Sequence, residues 1–167
     1  MKIQVGGLSE GTHEFRFQVL PTELGLGEEF QHHVDVEATL EKTGHQMFLR
    51  VGIATEGSFV CDRCLAAFSL PLRSSYRMYY VSEGADMGHL DPSEAQVVPG
   101  GLTVIDISDD VRQTIVLSVP LKLLCRGDCK GLCPHCGTNL NRETCNCTEE
   151  ARGRLWETLQ ASKRNLS

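Results

Sequence analysis

The sequence predicts an α+β protein: an antiparallel sheet, curled toward a barrel, with one covering helix and a cysteine-rich zinc-binding extension. Three observations lead there. Apolar residues alternate with polar ones in successive stretches from Thr12 to Tyr80, joined by short turns and not by crossover helices. One stretch, between residues 106 and 119, has helical spacing. Six of the eight cysteines then crowd into residues 125–147. At 167 residues the chain can bury one substantial core with a small appendage, which we divide as a body, 1–121, and an extension, 122–167.

In order, Lys2 to Val5 reads as a short strand. Thr12 to Val19 reads as a half-buried one, with Phe15, Phe17 and Val19 on one face. Pro21 to Gly27 is a loop. Phe30 to Leu40 and Met47 to Ile53 form a hairpin. His32 and His33 are neighbours on a strand, so they face opposite sides and cannot share a metal; one half-buried and one solvated histidine is expected. A third strand, Ser58 to Val60, leads into Cys61. Beyond it Phe68, Leu70 and Leu72, then Tyr76, Met78 and Tyr80, alternate. Tyr76 and Tyr80 at period two suit a core better than a base-stacking platform. Residues 82–101 are acidic and rich in Gly and Pro, and read as a loop; Asp86 and Asp91 there have no nucleophile or phosphate-cradling loop nearby. Asp106 or Ser108 caps the helix, Asp109 and Asp110 suit its positive end, and Pro120 stops it. Val111, Ile115 and Ser118 mark its apolar side, widened by Leu117 and Val119. A last helix, capped by Thr148, carries Leu155, Trp156 and Leu159.

The cysteines fall as C-x2-C at Cys61 and Cys64, C-x3-C at Cys125 and Cys129, C-x2-C at Cys133 and Cys136, and C-x-C at Cys145 and Cys147. In Cys133-Pro134-His135-Cys136-Gly137 the two-residue gap turns both thiolates toward one point, and Gly137 frees the backbone to aim amides at the sulfurs. Cys133, Cys136, Cys145 and Cys147 are two tight pairs that can close on one ion. Cys61 and Cys64 then need two more ligands, and Cys125 and Cys129 remain. A C-P-x-C-G knuckle followed by a second pair favours structural zinc over an iron–sulfur cluster. Disulfides need an oxidising compartment, and Met1 to Gly7 has no signal-peptide run. A redox C-x-x-C belongs at a helix start, whereas Cys64 is followed by Leu65-Ala66-Ala67-Phe68 and then Pro71. No stretch is long enough to span a bilayer as a helix.

The net charge is −6, or about −10 if two zinc ions each sit on four thiolates. Residues 1–121 hold 8 Lys+Arg against 17 Asp+Glu, and residues 122–167 hold 8 against 5. That balance argues against broad, non-specific nucleic-acid binding and confines any RNA phosphate contact to the extension. The candidates are Arg126, Lys130, Arg142, Arg152, Arg154, Lys163 and Arg164. Catalytic residues are not apparent: no phosphate-binding, nucleophile-elbow or metalloprotease motif occurs.

In order along the chain, Cys61-x-x-Cys64, the run I-D-I-S-D-D-V-R-Q-T-I-V-L-S-V-P, the segment C-K-G-L-C-P-H-C-G-T-N-L-N and C-N-C resemble the large ribosomal RNA subunit accumulation (YceD-like) family. The resemblance spans nearly the whole chain and is most specific from Ile105 to Cys147. It implies a cytoplasmic bacterial or plastid protein linked to accumulation or processing of large-subunit ribosomal RNA. Some members lack the second cysteine cluster, so metal there is not the whole of the shared function. Three functions follow as expectations. The foremost is a non-enzymatic assembly factor contacting large-subunit RNA precursor or a ribosomal protein. The others are a zinc-stabilised adaptor on a ribosomal protein without RNA contact, and an RNA-processing nuclease. A closed four-thiolate site, with no position for activated water, weighs against the nuclease.

Overall fold

The computed structural model describes residues 1–44, 46–85, 91 and 94–147. The chain divides into two compact units. The first comprises Met1–Phe59 and Ser69–Leu121; the second joins Val60–Phe68 to the residues from Lys122 onward.

The first unit is mostly sheet. The strands are β1 (Lys2–Gln4), β2 (Gly11–Val19), β3 (Val34–Thr43), β4 (Gln46–Val60), β5 (Ala67–Ser82), β6 (Ala95–Val98) and β7 (Val104–Asp106), followed by helix α1 (Ser108–Ser118). Five strands form one sheet in the order β2-β3-β4-β5-β6, while β1 and β7 pair separately and antiparallel. Strand alternation sets the register. Phe17 on β2 lies opposite Val36 on β3, which lies opposite Ile53 on β4; Phe15, Ala38 and Val51 make the next row. The buried side collects Val34, Val36, Ala38, Leu40, Leu49, Val51 and Ile53, joined by Ile3, Ile105 and Ile107. The opposite side is polar, with Arg16 against Glu37 and Gln18 donating to Asp35. A one-residue slip would exchange these faces, so burial holds the register.

Ile107, and neither Asp106 nor Ser108 as expected, stands at the cap of helix α1 without a side-chain cap, while the Asp106 carboxylate accepts the backbone N–H of Ser108 at 3.0 Å. The helix ends ahead of Pro120, which holds Val119 in extended backbone. Val111 and Ile115, one turn apart, are buried in the sheet's core, each worth roughly 1.5–3 kcal/mol.

Several expectations need correction. The sheet is not a closed barrel: it runs from β2 to β6 with no pairing of those two edges among the described residues. The sheet is not wholly antiparallel, because β6 pairs with β5 in parallel, Val81 opposite Val97. That strand lies inside the segment expected to be loop, tied down by a three-centre hydrogen bond from Arg77 Nε to both Glu94 carboxylate oxygens at 3.1 Å and by buried Val98. The hairpin's return and the third strand are one strand, β4, of 15 residues. β3 starts at Val34, so His32 and His33 precede it and both are exposed. Phe30 keeps only an isolated bridge to Gly57 and packs edge-on against Phe59. Leu117 does not widen the buried side of α1; it is 83% exposed. The expected last helix lies outside the described residues. Among the described residues no helix is long and apolar enough to cross a membrane.

Candidate metal centres

The second unit is built around two knuckles. In the first, Leu65 N–H donates to Cys61 C=O at 2.9 Å and Cys61 N–H to Ala66 C=O at 2.9 Å. In the second, Gly137 N–H donates to Cys133 C=O at 2.9 Å and Cys133 N–H to Thr138 C=O at 2.8 Å. The two turns are the same device. Each closes a C-x2-C pair by folding the residue after the second cysteine into left-handed backbone, Leu65 at φ 57° and Gly137 at φ 73°. Glycine adopts that conformation without penalty; a leucine there is uncommon and costs about 1–2 kcal/mol.

The segment around Cys61 is held against the later cysteines by backbone and carboxylate contacts. Asp62 N–H donates to Leu123 C=O at 2.8 Å, and Leu123 N–H returns to the Asp62 carboxylate at 2.7 Å. Arg63 accepts Leu132 N–H on its carbonyl at 3.0 Å and donates its guanidinium to Cys129 C=O at 2.9 Å. Gly131, at φ 77°, lets the chain pass this close: a Cβ there would sit 3.1 Å from the Arg63 carbonyl oxygen.

These contacts assemble two groups of four sulfurs. Cys61, Cys64, Cys125 and Cys129 form one, and Cys133, Cys136, Cys145 and Cys147 the other; within each, all sulfurs lie within 4.8 Å of one another. Cys61 to Cys129 is 3.8 Å and Cys64 to Cys125 is 3.6 Å. A tetrahedron with zinc–sulfur bonds of about 2.3 Å has edges of about 3.8 Å, so the spacing fits one zinc ion. It does not fit a disulfide, whose sulfurs sit about 2.05 Å apart, and all eight cysteines are free thiols. A polynuclear iron–sulfur cluster interposes several atoms between the cysteines and needs them further apart.

Electrostatics point the same way. Burial pushes the Cys61 thiol up, but the amides of Cys125, Arg63 and Cys64 outweigh it and hold it at about 6. The amides of Cys136 and His135 lower Cys133 to about 6. One member of each group goes the other way. Burial, then sharing of a proton with Cys64, pushes Cys125 up to about 12, and hydrogen bonding to Cys136, then burial, does the same to Cys147. Four adjacent sulfurs cannot all ionise unless a cation shares their charge. The donor set thus fits a divalent ion, with each group able to hold one.

The groups differ in exposure. Cys61, Cys64 and Cys129 are buried with Phe68, Leu124 and Leu132 around them, whereas Cys136 and Cys147 are exposed. Of the residues proposed to meet RNA, Arg126, Lys130 and Arg142 are exposed. Arg126 is engaged locally, with Asp128 at 3.3 Å and Asn141 at 2.7 Å. Arg152, Arg154, Lys163 and Arg164 lie outside the described residues. Tyr80 is buried and Tyr76 packs against the same core, so they offer no stacking platform; the exposed side of the sheet instead pairs Phe48 with Tyr79 at 4.5 Å. Sequence reasoning missed Asn141, whose amide reaches Cys129 Sγ at 3.3 Å; an asparagine in a hydrophilic loop gives no signal of it.

A mostly β unit with one helix, joined to a unit with two four-cysteine groups that could each hold a metal ion, sets the class of protein. The chain belongs to the YceD family, described as large ribosomal RNA subunit accumulation protein YceD, whose model matches residues 49–161. It is similar to large ribosomal RNA subunit accumulation protein YCED homolog 1, chloroplastic, of Arabidopsis thaliana, 36% identical over 61 residues. The homologue of the same name from Zea mays is 48% identical over 48 residues. Those alignments cover 36% and 29% of this chain but only 19% and 16% of the relatives, under a fifth of their length. No solved structure matches.

Proposed function

We propose that this chain is a non-enzymatic factor that supports large-subunit assembly and the accumulation of large-subunit ribosomal RNA, with two zinc ions held structurally by its eight cysteines. The observation that carries this reading is the joining of family membership to two closed groups of four sulfurs. Four thiolates take every position of a tetrahedral ion, so the metal would hold backbone together and activate no water. The cytoplasm is the proposed place of action. Contact with RNA precursor would fall to Lys130, Arg142 and the basic residues beyond Cys147. The four thiolates of the second centre reduce the formal +3 of residues 122–167 to about +1 with zinc bound, so that contact would be weak and shallow in its salt dependence.

A second reading is favoured by charge. Residues 1–121, with 8 basic against 17 acidic side chains, suit a basic ribosomal protein better than RNA. Sedimentation of tagged protein from lysate, with and without ribonuclease, separates the two. Co-migration with precursor particles supports the assembly factor. If ribonuclease releases the protein, RNA is the contact; retention on a ribosomal protein makes it an adaptor. Turnover of labelled precursor RNA by the pure zinc-loaded protein would overturn the non-enzymatic reading.

A further inference from the structure

Asn141 lies in the eight-residue loop between Cys136 and Cys145, and so belongs by sequence to the second cysteine group. Its side chain serves the first. Nδ2 donates to Sγ of Cys129 at 3.3 Å. The orientation of the amide follows from its other partners. Oδ1 accepts the backbone N–H of Lys130 at 2.8 Å and the guanidinium of Arg126 at 2.7 Å. Both are donors only, so the oxygen must face them and the nitrogen must face the sulfur. The second hydrogen of Nδ2 goes to Oδ1 of Asn139 at 3.0 Å, which also accepts the backbone N–H of Asn141 at 3.0 Å.

The loop that carries this amide is tied to the segment that leads into the second group. Leu140 N–H donates to Gly131 C=O at 3.0 Å, Leu132 bridges Asn139, and Cys133 N–H donates to Thr138 C=O. The ends of the loop are Cys136 and Cys145, two of the four sulfurs that one ion would draw together.

We propose that Asn141 couples the two centres, so that an ion held by Cys133, Cys136, Cys145 and Cys147 tightens the grip of Cys61, Cys64, Cys125 and Cys129 on theirs. This rests on the metal-binding reading above. An ion at the second centre closes the loop between residues 136 and 145 and removes the entropy of an open one, so Asn141 is held on Cys129. An N–H donated to a ligand sulfur fixes its direction, as outer-shell partners of metal ligands do. The effect is reciprocal: an ion at the first centre strengthens the second by the same factor. Asn141 touches a ligand and not the ion, so it is a positioning residue.

The test uses the full chain, zinc with a competing chelator, and cadmium NMR to distinguish the two centres. Asn141→Asp keeps the oxygen that Lys130 and Arg126 need and removes the donor to Cys129. Asn141→Ala removes the donor without adding charge and must behave alike. Cys136→Ser with Cys147→Ser disables the second centre. Each change should weaken zinc at the first centre by roughly 10–100-fold, the usual loss for an outer-shell partner, and the combination should lose no more than either alone. Asn141→Asp should move the cadmium resonance of the first centre more than that of the second. Unchanged affinity in both Asn141 variants, or losses that multiply, overturns the coupling and leaves the metal reading standing. Wild-type protein that binds neither zinc nor cadmium overturns both.

Discussion

Leu65 occupies, at φ 57°, the position in the first knuckle that Gly137 fills at φ 73° in the second. Both turns close with the same two backbone hydrogen bonds. A Cβ at Gly137 meets nothing within 4 Å, so only the backbone conformation separates the two sites. Exchange tests this. Gly137→Ala should cost about 1 kcal/mol of stability in the metal-loaded protein, with no loss of zinc stoichiometry. Leu65→Gly should come out neutral or stabilising by about 1 kcal/mol, because strain is relieved and the leucine is 65% exposed. Denaturant unfolding of both variants is the measurement. A loss of more than about 2 kcal/mol in Leu65→Gly would show that the exposed side chain packs on something that matters.

The two centres should release metal in a set order. Cys136 and Cys147 are exposed while Cys61, Cys64 and Cys129 are buried, so a chelator reaches the second centre first. We expect two equivalents of zinc in protein purified without added metal, released in two kinetic phases with the faster belonging to Cys133, Cys136, Cys145 and Cys147. Cys147→Ser should abolish the fast phase, and Cys61→Ser the slow one. A single phase in the wild type, or two equivalents of zinc still bound by Cys147→Ser, contradicts the assignment.

Tyr76 packs against the core, yet its hydroxyl is buried with no hydrogen-bond partner among the described residues. Burial pushes its ionisation well above the usual tyrosine range, with the Asp110 carboxylate adding to the effect. The ring contributes apolar area while the oxygen is desolvated without return. Tyr76→Phe should therefore raise unfolding stability by about 1 kcal/mol. A drop of that size in Tyr76→Phe would mean that the hydroxyl has a partner.

Asp106 sets an acid limit on α1. Its carboxyl is held down at about 2, first by the Ser108 hydroxyl and then by the Ser108 backbone N–H. The folded value lies below the ordinary one, so this contribution is present above about pH 4 and is lost as pH falls through 2. The group is half exposed, which keeps the effect well under what a buried carboxylate gives. Asp106→Ala should lower stability at pH 6 and flatten the fall between pH 4 and pH 2. Parallel curves for variant and wild type across that window would remove Asp106 from the acid response.

Much of the sheet could be read directly. Phe15, Phe17 and Val19, then Val34, Val36, Ala38 and Leu40, alternate because one side of each strand meets the core and the other meets water. The β6 segment carries no such mark. Ala95–Val98 is four residues long, and only Val98 is buried; its place depends on a parallel pairing with β5 and on Glu94 meeting Arg77. Leu117 misled in the opposite direction, since an apolar residue at the end of a helix can face solvent without penalty to the fold. Asn141 gave no signal because its role depends on an amide oriented by Lys130, Arg126 and Asn139 at once.

What the sequence by itself determined is local. Both two-residue gaps between cysteines in this chain make a knuckle, because the geometry of the turn lies within six residues, and hydrophobic alternation makes a half-buried strand. The tertiary structure decided which pairs meet. Cys61 and Cys64 are separated from Cys125 and Cys129 by some sixty residues, and their sulfurs reach 3.6 to 3.8 Å only because Asp62, Arg63 and a close-passing Gly131 join the two segments. Those contacts are hydrogen bonds to backbone groups, which every residue carries alike, so no side-chain pattern announces them. Closure of the sheet was likewise a matter of how far the strands twist before their edges meet, and here the β2 and β6 edges do not pair.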